Sequence, residues 1–137
     1  MSDYYRVFVC PKERLYIYQN MIIFRWKKAL RKDNPFFAMI DPEGFGVWFD
    51  RYIPTVIQRP DCKVRLAVLG DDEDVALGFS VSRGPVLDFI HVHKDQQGLG
   101  IGQDLLPKGI ESFTHLTTHG KRLWKQYYSE WKFNPFI

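Results

Sequence analysis

Cysteine is scarce: the chain holds two, Cys10 and Cys62, too few for a disulfide framework. Their spacing to the four histidines, His91, His93, His115 and His119, matches no zinc pattern, so no metal site is predicted. No stretch nears the roughly 18 apolar residues of a membrane span. The opening residues 1–6 lack the basic-then-apolar build of a secretory signal. These absences predict a soluble protein of a reducing cytoplasm. Charge of one sign is also lacking, at a net +3, which by itself points to no partner. Compositional bias is absent too: 45% hydrophobic and 26% charged residues exclude disordered and collagen-like classes.

What is abundant is aromatic: 11 Phe, 7 Tyr and 4 Trp in 137 residues. The length predicts one domain, 1–137, able to bury about 70% of its unfolded surface without a staple. The charges are unevenly placed. Residues 1–32 carry eight Lys/Arg against Asp3 and Glu13, and residues 117–137 carry four against Glu130. The middle is acidic, with Asp71-Asp72-Glu73-Asp74. A basic first helix is commonly a solvated face; basic ends around an anion site are the sharper alternative.

Tyr5 to Val9 alternates as a strand, stopped by Pro11. From about Tyr18 to Lys32, Met21, Ile22, Trp26, Ala29 and Leu30 fall at helical spacing. Asp41-Pro42 opens a second helix, Asp as cap and Pro at the first position. It carries Val47, Trp48, Tyr52, Ile53 and Val56, and Pro54 within it is expected to kink or split it. Lys63–Leu69 and Val75–Val81 read as an antiparallel hairpin about the turn 70–74, and Val86–His93 as a further strand after Arg83-Gly84-Pro85. Ile101–Ile110 has helical spacing interrupted by Pro107 and Gly109. Phe113–Thr117 reads as a short strand, Lys121–Glu130 as a helix and Trp131–Ile137 as a last extended piece. The order predicts an α/β (α+β) sandwich with one mixed, mostly antiparallel sheet.

The strongest local signal is Gln97-Gly98-Leu99-Gly100-Ile101-Gly102, after a predicted strand and opening a helix. Glycines let a ligand approach the backbone, and a helix start adds a positive end. Together they suit a pyrophosphate; a purely structural turn is the plainer alternative. The Rossmann pattern fails because the loop comes late in the chain, and the Walker pattern lacks its Gly-Lys-Ser/Thr.

With Gln97, Gly100 and Gly102 at this spacing, the chain resembles the GCN5-related N-acetyltransferase (GNAT) superfamily. Phe89–Lys94 looks like the family's fourth strand, and Tyr127-Tyr128 with Phe133 looks like its second motif, with Lys132 where glycine is usual. The inferred element order matches along nearly the whole chain. The resemblance implies an acyl-CoA N-acyltransferase fold, with a sheet of about six to seven strands and about four helices. It implies acetyl-CoA as co-substrate, a splayed pair of strands, and an amine acceptor, either small molecule or protein. His91, Val92 and the loop Gln97, Gly98, Leu99, Gly100, Ile101, Gly102 would bind the cofactor. Tyr128 would be the acid protonating the leaving thiolate. Trp26 with Phe36-Phe37, Thr114-His115 and the terminal 131–136 segment are similar to small acetyltransferase-like proteins of bacteriophages and prophages. That would place the chain in a bacterial host's cytoplasm or in a virion.

Departures bear on catalysis. Lys121 stands where many members have Asn, and the fourth strand has no Glu base. Asp88, His91 and His93 are the nearest bases. Strand alternation puts His91 and His93 on one face with Leu87 and Phe89, and Asp88 on the other with Ile90 and Val92. A histidine on an apolar strand face is more often structural, and a water is an equal alternative as base. Arg122 and Lys125 either meet CoA phosphates or lie on a solvated face. His115 is the polar end of a short strand. Acidic residues at 41, 43 and 50 hint at a cationic acceptor. Three functions follow: an N-acetyltransferase, monomeric or homodimeric and away from membranes; a catalytically inactive binding or virion protein of the same fold; and a nucleic-acid binder, which needs neither the loop nor Tyr128.

Overall fold

In the computed structural model the residues described are 4–33, 38–114, 125 and 130–133. Strand β1 (Tyr5–Val9) leads through a 3-10 turn into helix α1 (Leu15–Asp33), followed by α2 (Pro42–Ile57). Strands β2 (Cys62–Leu69), β3 (Asp72–Arg83) and β4 (Val86–Val92) follow, then a second 3-10 turn, helix α3 (Ile101–Leu105), and the short strands β5 (Ser112–Phe113) and β6 (Lys132–Phe133). The six strands form one sheet in chain order. Pairing is antiparallel from β1 to β4 and parallel for β4–β5 and β5–β6. The expected mixed α+β architecture is therefore present. Three α-helices are described; the fourth, expected over 121–130, lies outside the described residues except for helical Lys125 and Glu130.

Each face of the sheet has its own apolar cluster. Leu15, Tyr18, Ile22, Trp26 and Leu30 of α1 recur every three or four residues and pack with α2 against Val64, Leu66, Phe79 and Phe89. Trp26 stacks on Phe89 with ring centres 5.0 Å apart. On the other face Leu87, Ile90 and Val92 meet Ile101, Leu105 and Trp131.

Two sequence expectations, on Pro54 and on the end of α3, are corrected, and the buried face of α2 is fixed. Pro54 does not split α2, which runs to Ile57; it falls in the last turn, where its missing N–H costs a single bond. The buried stripe of α2 is Phe45, Phe49, Ile53, Val56 and Ile57, so Val47 and Trp48 are exposed. Helix α3 stops at Leu105 instead of reaching Ile110. Pro107 cannot continue it, Gly109 takes a left-handed φ of 84°, and the Ser80 hydroxyl donates 2.6 Å to the Leu105 carbonyl.

Gly78 lies where β3 is most crowded. A Cβ there would sit 2.6 Å from the His91 carbonyl oxygen and 3.2 Å from Val92 Cα. Both obstacles are backbone, so neither can swing aside. Gly78→Ala is expected to cost about 2–3 kcal/mol, as for overpacking in a dense core. Urea unfolding would read this as a lower midpoint at unchanged slope.

Candidate active site

The loop between β4 and α3 is fastened on three sides. The β3–β4 ladder is prolonged by the His93 N–H donating to the Leu77 carbonyl at 2.9 Å, and Gln96 N–H closes the 3-10 turn onto His93 O at 2.8 Å. The Gln97 amide Nε2 then donates 3.1 Å to Val92 O. From β1, Tyr5 OH donates to the Asp104 carboxylate on α3, and Tyr4 OH donates 2.7 Å to Gln96 Oε1. The carboxylate holds the Tyr5 phenol proton, pushing its pKa up to about 12. Tyr4 and Tyr5 carried no sequence signal for this role, since their partners lie more than 90 residues away.

Within the loop, Gly98 and Gly100 both have left-handed φ, 87° and 86°, a region that strongly favours glycine. Gly100 is the residue before the first turn of α3. A Cβ at Gly98 would meet nothing within 4 Å, and one at Gly100 only Tyr5 Oη at 3.9 Å. The loop backbone thus borders open space, and Leu99 is exposed while Ile101 and Gly102 are buried under the sheet. An anionic group can reach these amides without displacing a side chain. The Gln97 side chain, for which the sequence suggested no partner, anchors the loop to β4.

His91 and His93 are brought together, with His91 Nε2 and His93 Nδ1 3.0 Å apart. His91 also sits against the Phe79 ring. His93 is half-buried, and burial, with Arg25 nearby, lowers its pKa below the ordinary histidine value. It lines a cavity of about 510 Å³ with Ile17, Tyr18 and Met21 of α1 and Asp74 of β3. A neutral His93 in the fold has a stability consequence. Because its folded pKa lies below the unfolded one, the unfolded chain binds the proton first, and stability falls as pH drops below about 6.5. Replacing His93 by Gln should flatten this acid limb in pH-dependent thermal melts.

Asp88 is placed otherwise than alternation predicts. Val81 pairs with Phe89 but Ser82 with Leu87, so Asp88 is the extra residue of a β-bulge. The bulge also reverses the parity of Leu87, which packs with Ile90 and Val92 instead of with Phe89. The Asp88 side chain is fully buried and accepts from Arg83 at 2.6 and 2.9 Å. Thr114 Oγ1 donates to it at 2.9 Å. Both carboxylate oxygens are engaged, so in this structure the Asp88 side chain serves as the buried ion-pair partner of Arg83. Two of the three acidic residues taken as an acceptor signal are likewise occupied: Asp41 caps α2 through Gly44 N–H, and Asp50 pairs with Lys27 at 2.8 Å.

The β4–β5 ladder is short. Val86 and Leu87 pair with Ser112 and Phe113, and Thr114 N–H donates to Leu87 O at 3.0 Å. Phe89 to Val92 have no β5 partner among the described residues. The rest of the expected strand to Thr117, with His115, His119, Lys121, Arg122, Tyr127 and Tyr128, lies outside the described residues. Lys125 is described as helical and exposed.

No family model matches the chain, and no curated protein matches it. Solved structures do. A ribosomal-protein-alanine N-acetyltransferase from Brucella melitensis biovar Abortus 2308 superposes with a TM-score of 0.62 at 13% identity, over 98% of this chain and 97% of that one. This chain has the GNAT acyl-CoA N-acyltransferase fold. An aminoglycoside acetyltransferase from an uncultured soil metagenomic sample, solved with trehalose, matches with a TM-score of 0.54 at 15% identity over 94% and 88%. A GCN5-related N-acetyltransferase from Rhodopseudomonas palustris matches at 0.50 and 19% over 77% and 62%. At such identities the likeness is one of GNAT fold. Among the described residues no helix is long and apolar enough to cross a membrane.

Proposed function

We propose that the chain is an acetyl-CoA-dependent N-acetyltransferase of the GNAT superfamily. The observation that carries the proposal is the pair of left-handed glycines at the end of β4, tied down by Gln97, Tyr4 and Tyr5 and open to solvent on the ligand side. The exposed loop backbone and the GNAT fold support reading this loop as the seat of an acyl-CoA pyrophosphate. Acetyl-CoA supplies an activated thioester; everything else is the work of the chain's own groups. Amides from Gln97 to Gly102 hold the pyrophosphate, with Arg122 and Lys125 meeting the outer phosphates. Backbone amides at Val92 and its neighbours orient the thioester carbonyl. The amine enters the cavity beside His93, where Asp74 favours a cationic acceptor. His93, kept neutral by burial, takes the ammonium proton, and His91 fixes its ring through the 3.0 Å contact. Tyr128 gives the departing thiolate its proton.

Thiol release from acetyl-CoA over a panel of amines tests this activity, and wild-type turnover of at least one amine is expected. Tyr128→Phe keeps the ring and removes one hydroxyl. Turnover should fall by roughly a hundredfold, as for a lost general acid, with acetyl-CoA affinity unchanged in calorimetry. Equal turnover by both forms would remove Tyr128 from the mechanism.

One observation favours a second reading. The carboxylate on β4 is locked to Arg83, which fits a member of the fold that binds acyl-CoA without transferring it. Binding of acetyl-CoA with no turnover of any amine, in wild type and Tyr128→Phe alike, would decide for that alternative.

A further inference from the structure

A second cavity, of about 500 Å³, lies between the C-terminal half of α1 and the first turns of α2, remote in sequence from the glycine loop. Its apolar walls are Phe24 and Phe45, and Lys28, Arg31 and Lys32 stand around it. Much of the N-terminal positive charge is neutralised elsewhere. Arg6 and Arg14 pair with Glu73, Lys12 donates to the carbonyls of Ile57 and Cys62, and Lys27 pairs with Asp50. Lys28, Arg31 and Lys32 have no carboxylate partner among the described residues. Among the described residues no acidic side chain lines the cavity.

Arg31 is held in place. Its guanidinium lies 5.0 Å over the Phe45 ring, and Nη2 donates 2.7 Å to Ile40 O. Its Nη1 is buried without an acceptor, although a buried donor ordinarily finds one. Lys28 is stationed over the Phe24 ring at 5.7 Å. A fixed guanidinium lining the cavity, with two lysine ammonium groups that have no carboxylate partner among the described residues and two aromatic rings, has the chemistry of a receptor for a carboxylate.

We propose that this groove binds a small organic anion, a carboxylate joined to a hydrocarbon body, with the carboxylate on Arg31, Lys28 and Lys32 and the chain between Phe24 and Phe45. The site is independent of acetyl transfer and stands whether or not the chain is an enzyme.

The test is calorimetric titration of the full chain with octanoate, and with octanol and acetate as probes of tail and head alone. Octanoate should bind saturably at one site, with octanol and acetate each weaker by about tenfold or more, the usual scale for a lost charged or apolar anchor. Arg31→Gln risks the α1–α2 packing, so the exposed pair Lys28→Gln/Lys32→Gln and the exposed Phe24→Ala serve instead, with circular dichroism confirming the fold. Each should weaken octanoate by about tenfold, and saturating acetyl-CoA should leave octanoate affinity unchanged. No octanoate binding, octanol bound as tightly as octanoate, indifference to both variants, or one-for-one displacement by acetyl-CoA would each overturn the proposal.

Discussion

Gly100→Asp is expected to abolish acetyl-CoA binding while leaving the protein folded. Two effects act at this position. The backbone φ of 86° costs a side chain about 1 kcal/mol, Asp and Asn being the most tolerant of that region. The new carboxylate would also sit among the amides assigned to a pyrophosphate, opposing like charges where the positive helix end should favour an anion. Gly100→Asn separates the two, because it carries the same backbone strain without the charge. Calorimetry should give a weakened but measurable affinity for Asn and none for Asp. Equal affinities for Gly100→Asp and wild type would move the cofactor off this loop.

Asp88→Asn should be the most destabilising single change at the sheet's helix-facing side. The carboxylate is fully buried, and its Arg83 partner is nearly so. Removing the negative charge takes from a nearly buried guanidinium the carboxylate it contacts at 2.6 and 2.9 Å, a loss of about 3–5 kcal/mol. Thr114 would lose its carboxylate acceptor as well. The double replacement Arg83→Met with Asp88→Leu should recover much of that stability, since no lone charge remains. Turnover of Asp88→Asn should fall only in step with its folded fraction. A loss of a hundredfold or more per folded molecule, with the basic limb of the pH profile displaced, would return Asp88 to the role of base.

Much of this architecture was legible in the sequence. The β1 alternation, the Asp41-Pro42 helix start and the hairpin near Gly70 depend on local chemistry, and each stands where expected. The glycine run was legible as a turn that follows a strand and opens a helix, though the left-handed φ of Gly98 and Gly100 was not. What could not be read depends on contacts distant in sequence. The bulge at Asp88 is set by the fit of β4 to β3 and by Arg83, and it reverses a parity that simple alternation must assign otherwise. The sequence named Val47 and Trp48 among the apolar residues of α2 without assigning its buried face. The helix turns Phe45 and Phe49 to the core, where aromatic volume fills the gap beside α1. Tyr5 read only as a strand residue and Tyr4 had no assigned part, yet both hold the loop from the far end of the chain. The His91–His93 contact was half visible: spacing of two put both rings on one face, but not at hydrogen-bonding distance.

The central claim is that the glycine loop after β4 receives the pyrophosphate of acetyl-CoA. Amide NMR spectra of the full chain titrated with acetyl-CoA test it most directly, since the loop amides report contact whether or not any acceptor is known. The account predicts saturable shifts largest at Gly98, Gly100 and Gly102, with smaller changes at Val92 and His93. Shifts centred elsewhere, on α1 for instance, or no shifts at saturating acetyl-CoA, would contradict it.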